Sequence, residues 1–192
     1  MTPHVQIYDS MLRDGAQAVG INFSQAGKVK FALQLDALGV DFIEGGYAGS
    51  NEKDMQFFSD IRRENLRHAR VVAFGSTRRA GADVAEDPFV QALLRAETRT
   101  CAIYGKTWRL HVAEVLRTTE AENARMIGDT VRFLREHDRD VVFDAEHFFD
   151  GYRDSPDFAM RMLAVAVEAG AGTIALCDTN GGRLPHEIYA IV

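Results

Sequence analysis

The run Tyr8-Asp9-Ser10-Met11-Leu12-Arg13-Asp14-Gly15-Ala16-Gln17 sets a guanidinium beside a carboxylate, immediately after a short stretch, His4–Asp9, that reads as a strand. Gly15 tolerates any backbone angle and ends the turn, so Arg13 and Asp14 are expected to project from the C-terminal end of that strand. Barrel enzymes keep their chemistry at that end. A cation and an anion side by side there suit an oxyanion bound to a metal. Elsewhere the same pair is an exposed ion pair of little energetic weight, so its meaning depends on what else gathers around it.

Carboxylates recur at the ends of other strands. Within Val141–Glu146, period-two alternation puts Val142, Asp144 and Glu146 on one face and Val141, Phe143 and Ala145 on the other. The apolar set is expected to pack on helices. Asp144 and Glu146 then point into the upper lumen of a barrel, together with Glu44 at the end of strand two and Asp178 at the end of strand six. Carboxylates collected there can bind a metal or move protons; singly, each can also satisfy rim amides or arginines. Lys106 and Trp108 follow strand four in a loop, where they could flank a bulky acyl carrier or simply be solvated and packed. Arg78 and Arg79, after strand three, could meet phosphates or be surface charge. His147 sits at a strand end, but alternation turns it away from Glu146.

The elements that must hold these groups alternate without a linker or low-complexity tract. The expected units are His4–Asp9 with Gln25–Leu38, Asp41–Gly46 with Glu52–Leu66, Arg70–Gly75 with Pro88–Ala96, Thr100–Gly105 with Thr119–His137, Val141–Phe148 with Pro156–Ala169, and Thr173–Thr179 with a helix from Pro185 onward. Ser24, Asp87 and Ser155 signal helix entries, with Pro88 and Pro156 at first positions; Gly39 and Gly170 fit the exits. Strands separated by helices pair in parallel, which leaves an open doubly wound sheet or a (β/α)8 barrel. An open dinucleotide fold wants G-x-G-x-x-G after its first strand, whereas here the glycines stand singly or as Gly45-Gly46 and Gly181-Gly182. The α/β (β/α)8 TIM barrel is therefore expected. A full barrel takes about 250 residues, so six of its eight units are expected here and the chain reads as a fragment of one domain.

Composition narrows the partners. A chain of 192 residues with 46% hydrophobic content can bury a core, and a formal net charge of -6 with scattered basic residues argues against a nucleic-acid partner. Cys101 and Cys177 have no metal or disulfide spacing and are expected to be small core residues. No targeting or membrane-spanning segment is legible, so a cytoplasmic location is expected.

The opening run resembles the Asp-Thr-Thr-Leu-Arg-Asp-Gly-x-Gln signature of the DRE-TIM metallolyases, which include isopropylmalate, homocitrate and citramalate synthases and HMG-CoA lyase. Here it reads Asp-Ser-Met-Leu-Arg-Asp-Gly-Ala-Gln; Ser10 keeps a hydroxyl and Met11 departs from the pattern. Ile43-Glu44-Gly45-Gly46, Ala73–Arg79, Phe143–Tyr152 and Leu176–Gly182 are similar to the citramalate synthase branch. Isopropylmalate synthases usually carry Ser-x-Glu-Asp where this chain has Asp144-Ala145-Glu146-His147. The resemblance covers essentially the whole chain and implies that residues 1–192 are the N-terminal part of a pyruvate-carboxyltransferase-like catalytic barrel.

It further implies a Claisen condensation of acetyl-CoA with pyruvate, followed by thioester hydrolysis to citramalate and CoA, an entry step to isoleucine. Isopropylmalate synthesis or an HMG-CoA-lyase-like reaction is the alternative within the family; outside it, a truncated barrel that binds a keto acid or a partner subunit without catalysis. By resemblance Asp14 is a ligand of a divalent cation (Mg, Mn or Zn), and Arg13 stabilises oxyanion charge. Glu146 is the active-site glutamate and Thr179 holds the keto acid's carboxylate, with Gln17 and Glu44 as supporting substrate contacts. The family completes its metal site with His-x-His, which this sequence lacks, so those ligands are expected beyond Val192 of a homodimeric parent.

Overall fold

The computed structural model describes residues 5–50 and 52–192, so His4, the expected start of the first strand, lies outside the described residues. The strands are β1 (Tyr8–Asp9), β2 (Phe42–Tyr47), β3 (Arg70–Ser76), β4 (Thr100–Lys106), β5 (Asp140–Glu146) and β6 (Thr173–Leu176). They form one sheet in sequential order, with every neighbouring pair parallel. The helices are α1 (Gln25–Leu38), α2 (Glu52–Ile61), α3 (Pro88–Arg95), α4 (Arg109–Glu114), α5 (Glu120–Glu136), α6 (Phe148–Asp154), α7 (Pro156–Glu168) and α8 (Pro185–Ile191). The sheet curls as an incomplete (β/α)8 barrel, as the unbroken alternation predicts.

Alternation separates two cores. On the helix side, Ile43, Ala73, Cys101, Ile103, Val141, Phe143 and Ala145 pack with Phe57, Leu93, Ile127 and Phe158 from the helices. On the lumen side, Val72, Phe74, Ala102 and Val142 form a small cluster with Phe42, Tyr47, Tyr104 and Ala175. Buried apolar area on both faces is what an all-parallel sheet requires. β2 breaks the alternation at Gly45, where the register against β3 shifts. The bulge lets Glu44 and Tyr47, three residues apart, stand opposite Val72 and Phe74 on the same face. A Cβ at Gly45 would come within 2.2 Å of the Phe57 ring, so only glycine allows α2 to pack this closely.

Ser24 accepts from Gly27 N, and Asp87 accepts from Phe89 N and Val90 N, so both cap their helices as expected. Ser155 precedes Pro156, but its side chain makes no cap bond. Gly39 (φ 90°) ends α1 in the left-handed region. α2 stops at Ile61 rather than Leu66 because the Asp36 carboxylate accepts from the backbone N–H groups of Arg67, His68 and Ala69, drawing the chain straight into β3. β5 ends at Glu146, not Phe148, because His147 turns to φ 53° and α6 begins at once. β6 ends at Leu176, not Thr179. Among the described residues, no helix is long and apolar enough to cross a membrane.

Candidate active site

The loop after β1 is a tight turn in which Ser10 O accepts from the N–H groups of Arg13, Asp14 and Gly15, while the Asp9 side chain accepts from Met11 N. This winding turns the Arg13 side chain over the lumen. Its Nε donates to Glu44 Oε2 at 2.5 Å, and its guanidinium carbon lies 3.7 Å from the centroid of the Phe74 ring. Tyr8 Oη donates to the other Glu44 oxygen at 2.8 Å. Burial alone would lower the Arg13 guanidinium, but the charge and hydrogen bond of Glu44, then Asp14 and Asp144, more than reverse it, so Arg13 is a fixed cation. Burial pushes the Glu44 carboxyl up, with Arg13 and Tyr8 pulling the other way. Asp14 meets Arg13 Nη1 at 3.2 Å and keeps a side chain 65% exposed.

Across the lumen, Asp144 and Glu146 face inward as alternation predicts. Cys177 Sγ donates to Asp144 Oδ1 at 2.8 Å. Burial raises the Asp144 carboxyl; the Cys177 bond and Arg13 oppose the rise, while Glu146 and Asp14 add to it. Asp144 thus feels Arg13, Asp14 and Glu146 together, which ties both sides of the rim into one electrostatic site. Glu146 Oε2 is in contact with Lys106 Nζ. Thr179 Oγ1 accepts from His147 N at 2.9 Å, so the β6 loop rests on the end of β5. Gln17, in a short 3-10 turn, lines a cavity of about 460 Å³ whose wall includes Arg13, Tyr47, Lys28 and Lys53.

Several expectations need correction. Cys177 is not a core residue: β6 ends one residue before it, and alternation brings the thiol to the lumen, where burial and the Asp144 carboxylate push it far up and keep it protonated. Cys101 is buried in the helix-side core, its thiol raised to about 11 by burial. Asp178 lies beyond the end of β6, and its Oδ2 accepts from Arg183 N at 2.9 Å, closing the turn into α8. Arg78 is not ordinary surface charge: its buried guanidinium meets Glu122 at 2.7 Å and Asp129 at 2.8 Å. Lys106 belongs to β4, not to the following loop. His147 joins Trp108 and His111 in a ring cluster with centroids 4.4 to 5.9 Å apart, and its Nδ1 lies 3.4 Å from Asp150. Asp150 also accepts from Asn180 and Arg183, linking the loops after β5 and β6.

The same geometry limits what metal this chain can hold. Glu44 has both oxygens engaged by Arg13 and Tyr8, and Glu146 has one engaged by Lys106. Among the described residues no three His, Cys, Asp or Glu side chains cluster for coordination. The described residues do not make a complete divalent-cation site.

A family model described as HMGL-like matches residues 4–192. An (R)-citramalate synthase of Aquifex aeolicus is 49% identical over 191 residues, covering 100% of this chain and 36% of the relative. One from Synechocystis sp. is 52% identical over 185 residues, covering 96% of this chain and 34% of the relative. A 2-isopropylmalate synthase of Stenotrophomonas maltophilia is 35% identical over 99% of this chain and 35% of the relative. The chain therefore spans about a third of the length of the curated relatives it matches. Among solved structures, the HMG-CoA lyase of Bacillus subtilis superposes with a TM-score of 0.78 at 14% identity, over 97% of this chain and 62% of that one, a likeness of fold alone.

Proposed function

The chain belongs to the HMGL-like family, and on that premise we propose that it supplies the first six βα units of a citramalate synthase barrel, condensing acetyl-CoA with pyruvate on the route to isoleucine. A carbon–carbon bond forms between the acetyl methyl carbon, after loss of one proton, and the keto carbon of pyruvate. The keto oxygen becomes a hydroxyl, and water then cleaves the thioester to leave citramalate and CoA.

In this reading Arg13 faces the keto oxygen. The observation that carries it is the mounting of that side chain: one edge on Glu44, one face on Phe74, and a loop backbone gathered on Ser10 O. A guanidinium fixed before the substrate arrives needs no reorganisation as negative charge develops, and it loses little rotamer freedom. Thr179, anchored through His147 N, binds the keto acid's carboxylate, with Gln17 in support. Glu146 accepts a proton during the reaction, and Glu44 positions Arg13. Asp14 would serve as one ligand of a divalent cation, whose charge would offset that of the keto acid; the other ligands are not assembled among the described residues. The choice of pyruvate over a branched 2-oxo acid is supported by 49–52% identity to citramalate synthases against 35% to a 2-isopropylmalate synthase.

The test is CoA release by the full-length enzyme carrying these residues, offered acetyl-CoA with pyruvate, 2-oxobutyrate and 2-oxoisovalerate. Pyruvate should give the highest kcat/KM. A preference for 2-oxoisovalerate would place the enzyme with the isopropylmalate synthases, and no CoA release with any of the three would end the condensation reading.

A further inference from the structure

Lysine at the end of a strand ordinarily extends its ammonium into water. Lys106 does the reverse. Its side chain is 11% exposed, and its ammonium turns into the lumen to meet Glu146, passing 5.3 Å from the Tyr104 ring centroid. Lys106 and Glu146 are register partners at the last paired position of β4 and β5. Both backbones are pinned beside the contact: Asn123 Nδ2 donates to Lys106 O at 2.9 Å, and Thr107 Oγ1 donates to Glu146 O at 2.8 Å. Asn123 comes from α5 and is itself buried, with Met162 Sδ 3.1 Å from the same nitrogen. An exposed ion pair samples many geometries; one with both strands locked and little water around it keeps one.

We propose that Lys106 is a positioning residue for the condensation: it fixes the Glu146 carboxylate in the rotamer that presents the remaining oxygen, Oε1, to the substrate. The inference rests on the proposed role of Glu146. Lys106 occupies Oε2 and leaves one acceptor atom to meet the proton being moved, so the distance from Glu146 to substrate is set by β4 rather than by the torsions of a free glutamate. A displacement on the order of 1 Å at such a group costs rate rather than affinity.

The experiment combines kinetics of the full-length enzyme with crystal structures of the variants. Lys106→Met, which keeps the apolar stem, should lower kcat about 10²-fold with KM for the 2-oxo acid within about 3-fold. Lys106→Arg should recover most of the loss. In a Glu146→Gln background, Lys106→Met should add nothing, because the group it positions is already disabled. In the Lys106→Met crystal structure the Glu146 carboxylate should leave its place. Additive losses, a raised KM in place of a lowered kcat, or a Glu146 that stays where it is would each overturn the proposal. A wild-type enzyme that condenses none of the 2-oxo acids would refute the condensation, while the position of Glu146 in the Lys106→Met structure would still decide whether Lys106 places it.

Discussion

Arg13 is held on three sides, by the Glu44 carboxylate at 2.5 Å, the Phe74 ring at 3.7 Å and the Asp14 carboxylate at 3.2 Å. A lysine there would place one point charge where a planar fork now spans Glu44 and the lumen, so Arg13→Lys in the full-length enzyme should lower kcat about 10²- to 10³-fold with a smaller change in KM. Steady-state kinetics against the 2-oxo acid would check this, and a change confined to KM would remove Arg13 from the oxyanion. A second residue-scale prediction concerns stability. Glu122 accepts from Gly81 N and from Arg78, which together with Arg125 hold its carboxyl down from 4.5 to about 2 despite burial. A carboxyl lowered on folding stabilises the native state fully above its unfolded value, and the contribution is lost as pH falls from about 4.5 towards about 2. Glu122→Gln should therefore cost about 2 kcal/mol at neutral pH, much of it from stranding the buried Arg78, and should flatten the fall in Tm below pH 4.5. Equal pH slopes in the two proteins would rule this out. Arg13, Asp14, Asp144 and Glu146 were legible in sequence because a loop turn and strand alternation fix where they point. The Arg78–Glu122 and Lys106–Glu146 pairs were not, because they join side chains 44 and 40 residues apart, the first meeting depending on how α5 packs beside the loop after β3 and the second on the β4–β5 register.

At the scale of elements, the site depends on two close approaches that only glycine permits. One is the β2 bulge at Gly45. The other is Gly151 in α6, where a Cβ would lie 2.2 Å from Thr107 O and 3.0 Å from the Trp108 Cα. α6 thus rests directly on the backbone that leaves β4, beside the Thr107 hydroxyl that pins Glu146. Because the obstacle is backbone, Gly151→Ala has no flexible neighbour to displace and should cost about 1–3 kcal/mol by overpacking. It should also lower activity by pushing Thr107 off Glu146 O. Denaturant unfolding alongside kcat would test both, and a fully active variant of wild-type stability would show that α6 does not brace the site. Such crossings explain which boundaries the sequence concealed. Period-two alternation continues through His147 and Phe148 on paper, but His147 adopts φ 53° and α6 starts at Phe148, where aromatic spacing suits a strand as well as a helix. The six-unit order and the capping residues Ser24 and Asp87 needed no long-range information, and they stand as expected.

At the scale of the molecule, the sheet has two edges among the described residues, where β1 pairs only with β2 and β6 only with β5. A closed barrel has none. Beside β1, Ile7 is 53% and Met11 42% exposed; beyond β6, α8 buries no residue and leaves Tyr189 88% exposed. Unpaired strand edges flanked by apolar side chains are templates for another chain. The isolated 192-residue chain should therefore self-associate at about 10–100 μM, as read by light scattering on a sizing column. Replacing Ile7 and Tyr189 by Lys and Glu should shift it towards monomer without changing its circular dichroism. The same openness bears on chemistry. Arg13 and Glu146 are held in place within these residues, but the described side chains bring no three metal-binding groups together, and a lone carboxylate such as Asp14 would hold a divalent cation too weakly to survive dilution. Mixed with acetyl-CoA, pyruvate and Mg, Mn or Zn, the isolated chain should release no CoA above background, whereas the full-length enzyme should. Metal-dependent CoA release by the homogeneous isolated chain would mean that the carboxylates of this rim rearrange into a working cation site, and that Glu44 and Glu146 are ligands rather than partners of Arg13 and Lys106.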